Sequence, residues 1–247
     1  MPNNLYYRIS HRLSGFRLLG LAFTLFALAN IIIYLLISLH PPLLEGLWLS
    51  ADRPWGILTS AFTHADLPHL ASNLEGFTLA ALLFIPVSLA YPARVRRRWS
   101  RIFFWLVFLA GIGANVIEYP LILVGPGFNS WGASGIVYGA LGVLLAACFQ
   151  SLPDHLKTLS KERRRVRRRK KWRPFRFNRR FLKTFPALVT LSLLFSFFWL
   201  IFTDPGVFLS AGPGIDVFAH GFGFLGGFGG AMVLFRFDFR RVRASEN

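Results

Sequence analysis

The sequence predicts an all-α, polytopic membrane protein: a bundle of six transmembrane helices with both termini on the cytoplasmic side. Three observations carry this. The 247 residues are 54% hydrophobic, with a mean hydropathy of +0.48, and a soluble domain of this size does not carry so many long apolar runs. Six of those runs reach the roughly 20 residues that a span requires. The basic residues, finally, fall almost entirely in alternate connections.

The first run, about 18–39, is too long for a signal-peptide core. It is followed by Leu39-His40-Pro41-Pro42 rather than by small residues suited to cleavage, so it reads as a retained helix. The others fall at about 69–91, 102–124, 132–152, 184–203 and 215–234. Little sequence is left over, so one membrane domain over 1–247 is expected, with a basic cytoplasmic loop at about 153–183 and no separate soluble domain. Cys148, the sole cysteine, lies inside the fourth run, which excludes an intrachain disulfide and a cysteine-rich metal site. No solenoid-length repeat is present, and no inverted repeat of the kind that favours a transporter.

The net charge of +17 resembles that of a nucleic-acid binder until its distribution is read. Of 28 Lys and Arg, 27 fall on one side of a six-span topology, and Arg53 alone lies on the other. Basic residues in short loops mark the cytoplasmic face. The segments at about 40–68, 125–131 and 204–214 are therefore expected to face outward. The basic run 161–171 serves first as topogenic charge in a solvated loop. A sharper possibility is a clamp on anionic headgroups, aided by Trp172, Phe175 and Phe177 at the interface. No recognition module accompanies the charge, so no nucleic-acid partner is expected.

With the topology set, the scarce polar residues can be placed by depth. Ser134 opens the fourth run from outside, and His220 lies about five residues into the sixth, roughly 7 Å along a helix. His69 and Asn73 open the second run, also from outside, and at four residues apart they share a helical face. Polar side chains in spans are costly and mark cavities or function. Small-xxx-small spacings at Gly135/Gly139, Gly223/Gly227 and Gly226/Gly230 allow close helix approach in lipid.

A serine hydroxyl becomes a nucleophile when a base removes its proton, and His220 is the available base. The charge that then develops on a carbonyl oxygen needs fixed donors. The Ser134 backbone N–H, His69 and Asn73 are the candidates, and Tyr138, one turn beyond Ser134, can pack on the His220 ring. Each residue also has a plain structural reading, Ser134 as a packing residue or cap and His220 bonded to a carbonyl. Glu75 and Glu118 read as internal hydrogen-bonding groups. Asp216, one turn before His220, is either a third catalytic member or a solvated carboxylate. Metal binding by His64 and His69 is a weak reading, since their five-residue offset suits a shared helix face less well than four and no acidic partner is obvious, so neither metal nor cofactor is expected.

Three segments resemble the rhomboid family of intramembrane serine proteases: 64–73 (His-Ala-Asp-Leu-Pro-His-Leu-Ala-Ser-Asn) preceded by Thr59-Ser60-Ala61-Phe62-Thr63, then Gly132-Ala133-Ser134-Gly135-Ile136-Val137-Tyr138-Gly139, then 219–227 with its histidine followed by spaced glycines. The resemblance covers nearly the whole chain. It implies a six-helix rhomboid-like bundle with a Ser134–His220 dyad, and an oxyanion site from His69, Asn73 and the Ser134 backbone, with His64 and Tyr138 in support. It implies membrane-protein substrates cut in or near a transmembrane segment, a first outer loop lying partly in the membrane, and a fifth span that gates access. The chain departs from the family's Trp-Arg in that loop, having Arg53-Pro54-Trp55-Gly56 instead. Other readings are an inactive relative that binds transmembrane helices as a chaperone or trafficking factor, and a transporter using Glu75 and Glu118 as a relay. The sparse extra sequence suggests a prokaryotic cytoplasmic membrane.

Overall fold

Each apolar run forms a helix in the computed structural model, which describes residues 14–125, 129–168, 177–209 and 216–244. After a 3-10 turn at Ser14–Phe16 come α1 (Arg17–Leu39), α2 (Pro42–Leu47), α3 (Gly56–Thr59), α4 (Leu67–Ser88), α5 (Ala93–Val124), α6 (Ser134–Arg168), α7 (Phe177–Thr203), α8 (Pro205–Phe208) and α9 (Val217–Ala244). Six of them, α1, α4, α5, α6, α7 and α9, are long and apolar enough to cross a membrane. Among the described residues there is no strand, only isolated bridges such as Leu49 with Ser130. Arg8, Arg12, Trp172 and Phe175 lie outside the described residues, as does the Phe177 side chain.

Burial ranks the helices. The apolar stretch of α6 is 78% buried, that of α1 only 22%, so α6 is the axis around which the others pack. Ala140, Val143, Leu144, Ala146 and Ala147 are fully covered. Large apolar side chains elsewhere point outward, among them Ile32, Leu35 and Leu36 on α1, Trp105 and Leu109 on α5, and Phe195 and Trp199 on α7. In lipid such exposure carries no hydrophobic penalty.

Two helices outrun their apolar stretches. The segment anticipated as a basic loop at 153–183 is helical as far as Arg168 and again from Phe177. Likewise α5 begins at Ala93, ahead of Arg94, Arg96, Arg97 and Arg98. Arginine and lysine are good helix formers, so a helix continues past the point where hydropathy ends. This basic end is tied by a Ser100 hydroxyl donating to the Gly15 carbonyl at 2.9 Å and by Tyr91 to Asp154 at 3.3 Å.

At the opposite end, α2 and α3 form a cap over the bundle. Arg53 donates to the Glu45 carbonyl at 2.7 Å, and its guanidinium lies 5.6 Å from the centre of the Trp48 ring. Trp55 Nε1 donates to the Gly46 carbonyl at 2.9 Å, and Thr59 Oγ1 to the Leu47 carbonyl at 2.6 Å. The departure from Trp-Arg therefore leaves the loop anchored: arginine and tryptophan both hold α2, from opposite sides of Pro54. Paired N–H to carbonyl bonds of 2.9 Å between Leu49 and Ser130 then join this cap to the segment leading into α6.

Candidate active site

Ser134 is the first residue of α6, 9% exposed. The opening N–H groups of a helix have no partner within it, so the Ser134 backbone presents a donor beside its own hydroxyl. The approach to α6 is fixed by Gly132, whose φ of +120° disfavours any side chain. An added Cβ there would lie 2.6 Å from His69 Cε1 and 2.8 Å from His69 Nε2. The absent side chain is thus the space in which the His69 ring sits. Gly132 N–H donates to the Ser60 carbonyl at 2.9 Å, and Asn115 on α5 holds Ser60 in turn through a 3.0 Å bond to its hydroxyl. Asn115 escaped the sequence reading, although a buried asparagine in an apolar span is itself a signal.

Helices α6 and α9 meet backbone to backbone. A Cβ on Gly223 would stand 3.0 Å from Gly135 Cα and collide with the Gly135 carbonyl; one on Gly227 would do the same at Gly139. From the other side, a Cβ on Gly142 would reach Phe228 N at 2.6 Å. The Gly135/Gly139 and Gly223/Gly227 pairs therefore face each other. Gly226 and Gly230 instead face α5, toward Ala110 and Leu106.

This contact brings His220 to the Ser134 face of α6. Tyr138, four residues beyond Ser134 and so on the same face, stacks on the His220 ring with centroids 4.3 Å apart and planes 14° from parallel. The Tyr138 hydroxyl donates to the Phe208 carbonyl at 2.7 Å. His220 Nδ1 lies 2.6 Å from the Leu209 carbonyl oxygen. A carbonyl only accepts, so Nδ1 carries the proton and Nε2 keeps its lone pair. No hydrogen bond joins Ser134 to His220 among the described residues.

Asp216 is committed elsewhere. One carboxylate oxygen accepts from Ala219 N–H at 2.8 Å, capping α9, and the other accepts from the Ser130 hydroxyl at 2.6 Å. Glu118, buried on α5, adjoins both Asp216 and Ser130.

The second cluster surrounds His64, which is wholly buried. Its Nε2 lies 3.0 Å from Asn73 Nδ2 and 3.4 Å from Ala133 N–H. A backbone N–H can only donate, so Nε2 is the acceptor. Burial, with the neighbouring His69 ring adding to it, pushes His64 down to about 4, so the ring is neutral near pH 7. The His64 and His69 rings meet edge to face at 4.9 Å. Asn73 Nδ2 also donates to the His69 carbonyl at 3.2 Å. Both amide hydrogens of Asn73 thus serve its neighbours here, while the His69 ring lies against Gly132, two residues before Ser134. That His64 joins Asn73 to Ala133 was not legible from spacing.

Of the two span glutamates expected to be internal, Glu118 is buried but Glu75 is exposed on the outer face of α4. The two share no hydrogen bond among the described residues.

A six-span bundle in which the helices carrying Ser134 and His220 pack together through facing glycines has the rhomboid architecture. The rhomboid domain family matches residues 51–237, and the chain belongs to that family. Members are generally intramembrane serine proteases acting on transmembrane substrates, and this chain is an integral, multi-pass membrane protein. No curated protein and no solved structure matches the chain.

Proposed function

We propose that the protein is a serine endopeptidase that cleaves transmembrane proteins in or near their membrane segment through a Ser134–His220 dyad. The observation that carries this is the fixed tautomer of His220. With Nδ1–H held by the Leu209 carbonyl and the ring clamped by Tyr138, Nε2 is a free base on the Ser134 face.

In this reading His220 Nε2 takes the proton from Ser134 Oγ as the oxygen attacks the substrate carbonyl carbon. The new oxyanion is met by the Ser134 N–H at the start of α6 and by His69 across Gly132, with Asn73 and His64 fixing their neighbours. The carbon–nitrogen bond breaks as His220 returns the proton to the leaving amine. Water, reaching the site from the nearby surface, then hydrolyses the acyl-serine with His220 again as base. A transmembrane helix hides its carbonyls in its own hydrogen bonds, so the substrate must unwind locally before attack. The basic end of the bundle faces the cytoplasm, where anionic lipid headgroups are its natural partners. The first outer loop lies partly in the membrane, and α7 with α8 gates access.

The test is labelling of detergent-purified protein with a fluorophosphonate, together with cleavage of a single-span reporter in liposomes. Wild type is expected to label and cleave, while Ser134→Ala and His220→Ala do neither yet remain folded. Cleavage at the wild-type rate by folded Ser134→Ala removes the assignment.

A further inference from the structure

Glu75 is the one acid on the lipid-facing surface of a span among the described residues. With 100° of turn per residue it lies about 200° around α4 from the inward-facing Asn73. It falls in an exposed stripe with Ser72, Leu79 and Leu82. Counted from Leu67, it is roughly 12 Å along the helix, and Asn73 roughly 9 Å. Helical side chains lean toward the N-terminus, which brings the carboxylate back to about the level of the Ser134 site.

Other acids of the bundle have assigned partners. Asp66, Asp204 and Asp216 accept from backbone N–H groups at the starts of α4, α8 and α9. Asp154 accepts from Tyr91, and Glu118 is buried beside Asp216 and Ser130. Glu75 has neither a hydrogen bond nor an ion pair among the described residues. A carboxylate facing hydrocarbon without a partner is costly and marks a function.

Its partner must come laterally, within the membrane plane. Helices α5 and α9 press on α6 through glycines, leaving no room between them: a Cβ on Gly111 would lie 2.7 Å from Ile136 N, alongside the α9 contacts already described. On the α4 side the neighbour is a side chain rather than backbone: a Cβ on Gly76 would lie 2.8 Å from Val137 Cγ1, and Glu75 stands on the exposed face of α4 that a segment arriving through lipid meets first.

We propose that Glu75 selects substrates by holding a basic side chain on their transmembrane segment, within about two helical turns of the bond to be cut. The substrate class is thereby single-span segments bearing Lys or Arg in the half nearest the Ser134 end. Such a residue is itself costly in lipid, and pairing with Glu75 relieves both charges at once. The inference rests on the proteolytic reading for its consequence, but the recognition itself does not require cleavage.

The experiment uses full-length protein in nanodiscs and a set of single-span reporter peptides. Lys, Glu or Ala is placed singly at each position over two turns on either side of the cleavage region. Association is read by resonance energy transfer in a Ser134→Ala background, and cleavage in the otherwise unaltered protein. At one or two positions the Lys peptide is expected to bind and be cut about tenfold better than the Glu peptide. That ratio should fall to near one in Glu75→Gln and invert in Glu75→Lys, each ratio being taken within one variant. A ratio near one at every position in the parent protein, or one that persists in Glu75→Gln, overturns the proposal. If the binding preference depends on Glu75 and no peptide is ever cut, the selectivity inference stands and the proteolytic reading falls.

Discussion

Gly221 and Gly223 flank the same side of His220 in sequence yet have opposite surroundings, which gives a sharp test of how the site is built. Nothing lies within 4 Å of a Cβ placed on Gly221, whereas a Cβ on Gly223 would collide with the Gly135 backbone. Backbone cannot rotate aside as a side chain can. To restore ordinary contact, α9 must withdraw from α6 by roughly an ångström, and a shift of that size in a catalytic group costs on the order of 100-fold in rate. Gly223→Ala is therefore expected to lower turnover of a single-span reporter by about two orders of magnitude, with an overpacking cost of about 1–3 kcal/mol in stability. Gly221→Ala adds a better helix former in open space and is expected to gain up to about 1 kcal/mol while retaining activity. The assay is cleavage in liposomes at saturating substrate, with thermal unfolding in the same detergent for stability. Normal turnover in Gly223→Ala would refute the idea that glycine contact sets the Ser134–His220 distance. So would a deeper loss in Gly221→Ala than in Gly223→Ala.

Asp216 should behave as a cap rather than as a third catalytic member. Asp216→Asn keeps an acceptor for Ala219 N–H and is expected to retain most activity, while Asp216→Ala loses about 1 kcal/mol of stability by thermal melting; a collapse of turnover in the asparagine variant as deep as that of His220→Ala would instead point to a triad. His64 should make the fold acid-sensitive. Its folded value of about 4 lies below the usual 6.5, so the unfolded chain binds the proton first as pH falls. The stabilising contribution is complete above about pH 6.5, shrinks toward pH 4, and amounts to about 3 kcal/mol over that window. Melts of wild type and His64→Gln across pH 4–7.5 should show a shallower decline in the variant, and parallel declines would exclude His64 as the source.

The sequence revealed what depends on hydropathy and on small-residue spacing. All six spans are where the apolar runs place them, because crossing lipid demands both length and apolarity. Their ends were less legible. Arg94 and Arg98 in α5, and the basic residues of α6 up to Arg168, continue helices beyond any apolar signal. The Gly135/Gly139 and Gly223/Gly227 pairs were recognisable as contact surfaces, but not that Gly226 and Gly230 turn to α5. The misplacement of Glu75 has a plain cause. A charge within an apolar run reads as internal when only cost is weighed, whereas its angular position opposite Asn73 puts it outside. Contacts made by main-chain groups left no trace in side-chain patterns. The Leu209 carbonyl at His220 and the Ala133 N–H at His64 are of this kind.

In the proposed dyad, the Leu209 carbonyl would take the place of a carboxylate behind His220. A base of this type needs its Nδ1 proton held so that Nε2 faces the nucleophile. An aspartate does this in water-exposed proteases, and it also stabilises the imidazolium that forms. Beside apolar helices a buried carboxylate would require further donors of its own. A backbone carbonyl supplies the same direction without a net charge. Its position must then be secured by packing, and Tyr138 does so from two sides: its ring stacks on His220 while its hydroxyl holds Phe208, the residue before Leu209. One side chain thus fixes both the base and the acceptor that orients it. The nearby carboxylate, Asp216, caps α9 and accepts from Ser130. In the proposed reaction, stabilisation of the imidazolium would rest on the Leu209 dipole and the face of the Tyr138 ring, since a cation is attracted to an aromatic face.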